Sequence, residues 1–173
     1  MNGLSNHGHS RFLTRTNRGV GRLASKGSQA ASEGIDKGVF REAVMIQMTW
    51  PGAPTIYYGD EAGVCGWTDP DNRRTYPWGE EDIELVDYHS YLAHYHSKLK
   101  SLRKGSVKPL AWGEQYIAYG RVSGPEICVI AVNNSPEDRD LSIPVWQLGV
   151  PDGAELKRLM YSNRYGHNVG RVK

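Results

Sequence analysis

Near residues 105–109 the spacing of apolar residues changes from three and four to two, and this change constrains the fold more than any other feature of the chain. Upstream, Tyr88, Leu92, Tyr95, Leu99 and Leu102 fall at helical spacing, which predicts an amphipathic helix over residues 86–104, closed by Gly105. Downstream, residues 115–122, 126–133, 141–145 and 156–161 alternate with period two between turns rich in Gly, Pro, Asn and Asp, and read as strands. A stretch with one period cannot settle into the structure of the other, because side chains repeat every 3.6 residues along a helix and every two along a strand. The chain therefore divides into residues 1–105 and an all-β unit, residues 106–173.

The first unit reads as α/β. Val39, Phe40, Ala43, Val44, Met45, Ile46 and Met48 give a helix over residues 37–50, with Asp36 as N-cap and Pro51-Gly52 as terminator. Residues 53–59, APTIYYG, are short, apolar and rich in β-branched and aromatic types, the pattern of a strand covered on both faces in a parallel sheet. Helix and strand together are half of a βαβ unit. Two long loops flank them, residues 19–34, rich in Gly, Ser and Ala, and residues 60–82, too polar for a core and too aromatic for a linker.

Composition narrows the function classes. With 39% hydrophobic and 23% charged residues the chain is globular in balance, and its longest strongly apolar run, residues 127–132, is too short to cross a bilayer. No apolar segment of the secretory kind follows the amino terminus, so a cytoplasmic location is expected. Arg11, Arg15, Arg18 and Arg22 precede the first acidic residue, Glu33, a bias shared by transit peptides and phosphate-binding arms. Neither a sustained amphipathic stripe nor a nucleic-acid-binding motif accompanies it, and no nucleic-acid or membrane partner is expected. Cys65 and Cys128 form no CxxC pair and are expected as reduced thiols.

Three segments with chemical potential lie beyond predicted strand ends, where parallel α/β folds collect active-site residues: SNHGHSRF, YYGDEAG and GWTDPDNRRTYPWG. His7 and His9 share one side of an extended chain, but no further nearby His or Cys completes a metal ligand set, so a hydrogen-bonding His7 and a turn-supporting His9 are expected. Asp60 and Glu61 are adjacent and would point to opposite faces, which disfavours a catalytic pair and favours a buried carboxylate partnered by arginine. Asp69 and Arg73, with Trp67, Tyr76 and Trp78, have the chemistry for a sugar: directional hydrogen bonds for hydroxyls and an aromatic face for the apolar side of a pyranose. The same residues also suit an Asp-Pro turn capped by an arginine, and both readings stand at this level.

The order LSNHGHSRFLTRTN, QMTWPGAPTIYYGDEAG, DPDNRRTYPW and a helix ending in LRKG before a β unit resembles the carboxyl-terminal part of α-amylase-superfamily glycoside hydrolases, most of all the cyclomaltodextrinase, neopullulanase and maltogenic amylase group. The resemblance implies the last one to two βα units of a (β/α)8 barrel followed by a β-sandwich, with residues 4–7 as the end of the seventh barrel strand and residues 53–58 as the eighth, and the sandwich is expected to be incomplete, stopping at Val172-Lys173. It implies an α-glucan oligosaccharide as partner, His7 as a ligand to the sugar at the cleavage point, and Asp69 and Arg73 as contacts toward the non-reducing end. A homodimeric parent enzyme and no cofactor are further expectations from it.

Retaining chemistry in this family uses a carboxylate nucleophile and a carboxyl acid/base on earlier barrel strands, none of which has a counterpart among these residues. A third catalytic Asp follows the motif His; here that position holds Gly8. The catalytic set carried over is therefore empty, and the chain reads as an internal fragment of an α-glucan hydrolase, inactive alone. A non-catalytic carbohydrate-binding or interaction fragment is the alternative. In either reading Arg11 is expected as a structural ion-pair partner.

Overall fold

The computed structural model describes residues 1–19 and 23–170. In chain order it contains β1 (Asn2–Gly3), α1 (Phe12–Arg15), α2 (Leu23–Lys26), α3 (Lys37–Thr49), β2 (Pro54–Thr55), α4 (Ile83–Lys98), α5 (Lys100–Lys104), β3 (Ser106–Gly113), β4 (Tyr116–Ser123), β5 (Glu126–Asn133), β6 (Met160–Asn163) and β7 (Gly166–Val169), with 3-10 turns at Gln29–Ser32, Asp71–Arg73 and Val145–Leu148. Arg22, Val172 and Lys173, which entered the expectations above, lie outside the described residues.

Local signals account for α3. The Asp36 carboxylate accepts a hydrogen bond from Val39 N at 3.1 Å, and Pro51, which has no N–H to donate, follows the last turn. The second long helix differs from expectation: Asp82 caps it, so it begins at Ile83, and extended Leu99 (φ −85°, ψ 116°) divides α4 from α5. Leu99 there packs with Leu102, Tyr119 and Ile130, so burial of that side chain accompanies the break.

β1 and β2 pair in parallel, Asn2 with Pro54 and Gly3 with Thr55. Gln47 of α3 ties both strands down, its Nε2 donating to Asn2 O at 3.1 Å and Thr55 O at 2.8 Å. Each strand is only two residues long, shorter than the apolar runs imply, because Tyr57 and Tyr58 turn away to meet a buried arginine.

The second half holds an antiparallel meander, β3-β4-β5, and a separate hairpin, β6-β7. Residues 126–133 form a strand as expected, and β4 is shifted by one from 115–122. Two expectations fail. Residues 141–144 form no strand and lead through Pro144 into a 3-10 turn, and the run 156–161 becomes a strand only from Met160. β3 has no clean alternation and contains Pro109, where its register to β4 shifts, as suits an edge strand.

Two apolar clusters organise the molecule. Phe40, Val44, Leu85, Tyr88 and Trp67 anchor the first, and Leu102, Tyr119, Ile130 and Val132 the second. The meander docks on the end of α3: Tyr119 OH and Thr49 Oγ1 are 2.6 Å apart, and buried Arg121 donates to Thr49 O and Gly105 O. The β6-β7 hairpin instead rests on α3 and α4. There fully buried Arg41 donates to Glu84, Ser162 and the Asn163 carbonyl, and Tyr95 OH donates to Leu159 O.

Candidate functional site

The segment after β1 is an Asx turn, in which Asn6 Oδ1 accepts from Gly8 N at 2.7 Å. His7, Gly8 and His9 are all exposed. Gly8 is not in the left-handed backbone region, and a Cβ built there would approach only Asn6 Oδ1, at 3.3 Å. The backbone therefore does not demand glycine at this position. Gly59 is the opposite case: φ is +86° and an added Cβ would lie 2.7 Å from Val64, so glycine is needed where the chain leaves β2.

Beneath these turns lies Arg11, with no exposed surface. Its Nη1 donates to Tyr58 O at 2.6 Å and Asp60 Oδ1 at 3.0 Å, its Nε donates to Asn72 O at 2.9 Å, and the guanidinium sits 4.2 Å from the Tyr57 ring centroid. The expected arginine partner of the acidic pair is thus found, and Asp60 is the buried member. Burial pushes the Asp60 carboxyl above its usual range, against hydrogen bonds from Ser5 and Arg11 that hold it down.

The 60–82 loop supplies the other face. Asp69 and Arg73 pair with each other, Oδ1 to Nε 2.5 Å, and both side chains are more than half exposed, at 57% and 51%. Further residues secure the turn: Asp71 accepts from Trp67 N at 2.8 Å and from Arg74 at 2.7 Å, and Tyr58 OH donates to Arg74 O. The Asp69–Arg73 pair itself spans the Asp-Pro turn, as the arginine-capped-turn reading expected, and Asp71 with Arg74 adds a second pair to it. Trp67 is a core residue, 3% exposed, with Nε1 bonded to Gly27 O, and has no face free for a ligand. Trp78 is 82% exposed, its ring centroid 4.5 Å from that of Tyr76.

Asn72 joins the two faces. Fully buried, it sends its amide nitrogen to the carbonyls of Asn6 (3.3 Å), His7 (2.9 Å) and His9 (2.7 Å). The structure thereby brings the His7 turn against the turn that carries Asp69 and Arg73. Sequence reasoning missed Asn72, Asp71 and Arg74, since a polar loop has no periodicity to mark which residues turn inward. Among the described residues no cluster of three His, Cys, Asp or Glu side chains is placed to hold a metal ion, no helix is long and apolar enough to cross a membrane, and Cys65 and Cys128 are free.

No protein-family model matches the chain. It is 31% identical over 184 residues to an amylopullulanase of Thermoanaerobacterium thermosulfurigenes, an alignment covering 99% of this chain and 10% of that protein. It is 32% identical over 150 residues to neopullulanase 2 of Thermoactinomyces vulgaris, covering 84% of this chain and 23% of the relative. The crystal structure of an Anoxybacillus α-amylase superposes with a TM-score of 0.63 at 32% identity, over 77% of this chain and 26% of that one. The chain thus spans between about a tenth and a quarter of the length of the proteins it matches.

Proposed function

Because this chain belongs with the α-amylase family through its amylopullulanase and neopullulanase relatives, we propose that it supplies part of an α-glucan-binding cleft and hydrolyses nothing by itself. The observation that carries this reading is the exposed Asp69–Arg73 pair, set by Asn72 against the turn bearing His7. The carboxylate accepts from sugar hydroxyls and the guanidinium donates to them; Trp78 on Tyr76 offers the apolar face on which a glucosyl ring packs. His7 contacts the sugar at the cleavage point.

Cleavage with retention needs two carboxyl groups about 5 Å apart across the scissile bond, one as nucleophile and one as acid/base. Asp60 is engaged by Arg11, and Asp69 by Arg73, so neither is free for that work. Gly8 further removes the carboxylate that the family places after the motif His. In a chain completed with the earlier barrel strands, Gly8→Asp is expected to raise kcat/KM by about two orders of magnitude or more, the scale of a lost transition-state contact.

The test is calorimetric titration of the purified chain with maltohexaose, beside assays on cyclodextrin, pullulan and an aryl maltoside. Binding without turnover supports the reading. Turnover of any of the three substrates overturns the inactivity, and absence of binding overturns the cleft.

A further inference from the structure

The turn that carries His7 has no helix or strand to hold it. Its carbonyls at Asn6, His7 and His9 instead converge on one donor group, the carboxamide nitrogen of Asn72, whose two hydrogens serve three acceptors. Asn72 has no exposed surface, and its backbone carbonyl accepts from Arg11 Nε, so its main chain is fixed from below by a residue that is itself fully buried. It is also the middle residue of the 3-10 turn Asp71–Arg73, and its covalent neighbour Arg73 pairs with Asp69. The backbone that presents Arg73 and the side chain that holds His7 are therefore one residue.

We propose that Asn72 is a positioning residue that sets the His7 turn at a fixed distance from the Asp69–Arg73 pair, so that one oligosaccharide engages both. This rests on the sugar-cleft reading above. An Asp at position 72 would keep the size of the side chain but turn an anionic oxygen toward three carbonyl oxygens, and the turn would be released.

Asn72→Asp in the whole chain tests this by isotope-edited NMR and by titration with maltohexaose. The amide resonances of Asn6, His7 and His9 and the His7 imidazole signals are expected to shift and broaden, with affinity falling about tenfold, the scale of one displaced polar contact. His7→Ala should weaken binding in the parent chain and add no further loss in the Asn72→Asp background. A purely structural role would lower stability and leave the His7→Ala effect additive, which would overturn the proposal, as would unchanged signals from the turn. If Asn72→Asp does not fold, the parent chain decides: the Asn72 carboxamide protons should exchange slowly and show contacts to residues 6–9, and their absence overturns it. If the parent chain does not bind maltohexaose, or Asp69→Ala and Arg73→Ala leave binding unchanged, the sugar-cleft reading fails, while the turn signals still decide the role of Asn72.

Discussion

Arg11 and Asp60 meet 3.0 Å apart with side chains 0% and 5% exposed, so a charge pair lies wholly inside the protein beneath the turns of the candidate site. It links the segment after β1 to the segment after β2 across 49 residues of chain. Such a pair contributes little net stability over an apolar replacement, yet removing one member strands the other.

Arg11→Met should therefore cost about 3–5 kcal/mol in urea unfolding, and the Arg11→Met/Asp60→Asn double variant should recover part of that loss. Burial already raises the Asp60 carboxyl, and without Arg11 it would rise further. A raised acid favours the fold below its unfolded value and withdraws that support as pH climbs through its folded value. Arg11→Met should accordingly regain stability relative to the parent as pH is lowered from 7; a deficit independent of pH would contradict this account.

Glu42 on α3 borders a groove of about 350 Å³ lined by Phe12, Val39, Ile46, Tyr116 and Ile117, and its carboxyl is pushed up to about 7, first by burial and then by Asp36. Its contribution to stability is fully present below its ordinary value of 4.5 and is lost as pH rises toward 7. Glu42 is half-buried, so screening reduces the effect, and Glu42→Gln should stabilise the chain at pH 8 by on the order of 1 kcal/mol. Thermal unfolding across pH 5–8 should show a flatter profile for the variant than for the parent.

Asp69→Ala and Arg73→Ala should each leave stability almost unchanged, since the pair is exposed and screened by solvent. Each should still weaken maltohexaose binding by about tenfold, the scale of one lost charged hydrogen bond. Trp67→Ala should do the reverse in order of cause, costing about 3–5 kcal/mol by opening a cavity in the first cluster. Unfolding curves recorded beside titrations separate the two classes.

Arg41 binds α3 to α4 through Glu84 and to the β6-β7 hairpin through Ser162 and the Asn163 carbonyl. Arg41→Met should cost about 3 kcal/mol, because a buried charge is lost from three partly buried acceptors that then go without their donor. Hydrogen exchange should quicken in Met160–Asn163 and Gly166–Val169 before it does in the meander. Uniform acceleration would mean that the hairpin is held by other contacts.

The elements that follow from local pattern were legible. Helix α3 and its Asp36 cap, strands β4 and β5 and the closing role of Gly105 all depend on spacing and on residues within a few positions of one another. The two-residue length of β1 and β2, the strand character of residues 106–113 and the failure of residues 141–145 to form a strand were not legible. For the first two a partner elsewhere decides: Arg11 draws Tyr57 and Tyr58 out of line with β2, and β4 recruits a Pro-bearing edge strand.

The candidate site divides the same way. Residue type and periodicity singled out His7, Asp69 and Arg73, expected an arginine for one of Asp60 and Glu61, and placed all of them near strand ends, while Gly8 stood out only through the family resemblance. Only the tertiary structure decided that Trp67 is core, that Asp71 and Arg74 pair within the turn, and that Asn72 holds a carbonyl 65 residues away. The reason is physical: helical and strand periods are written in consecutive residues, whereas a hydrogen bond between distant loops exists only after folding has brought them together and excluded the water that would otherwise satisfy both groups.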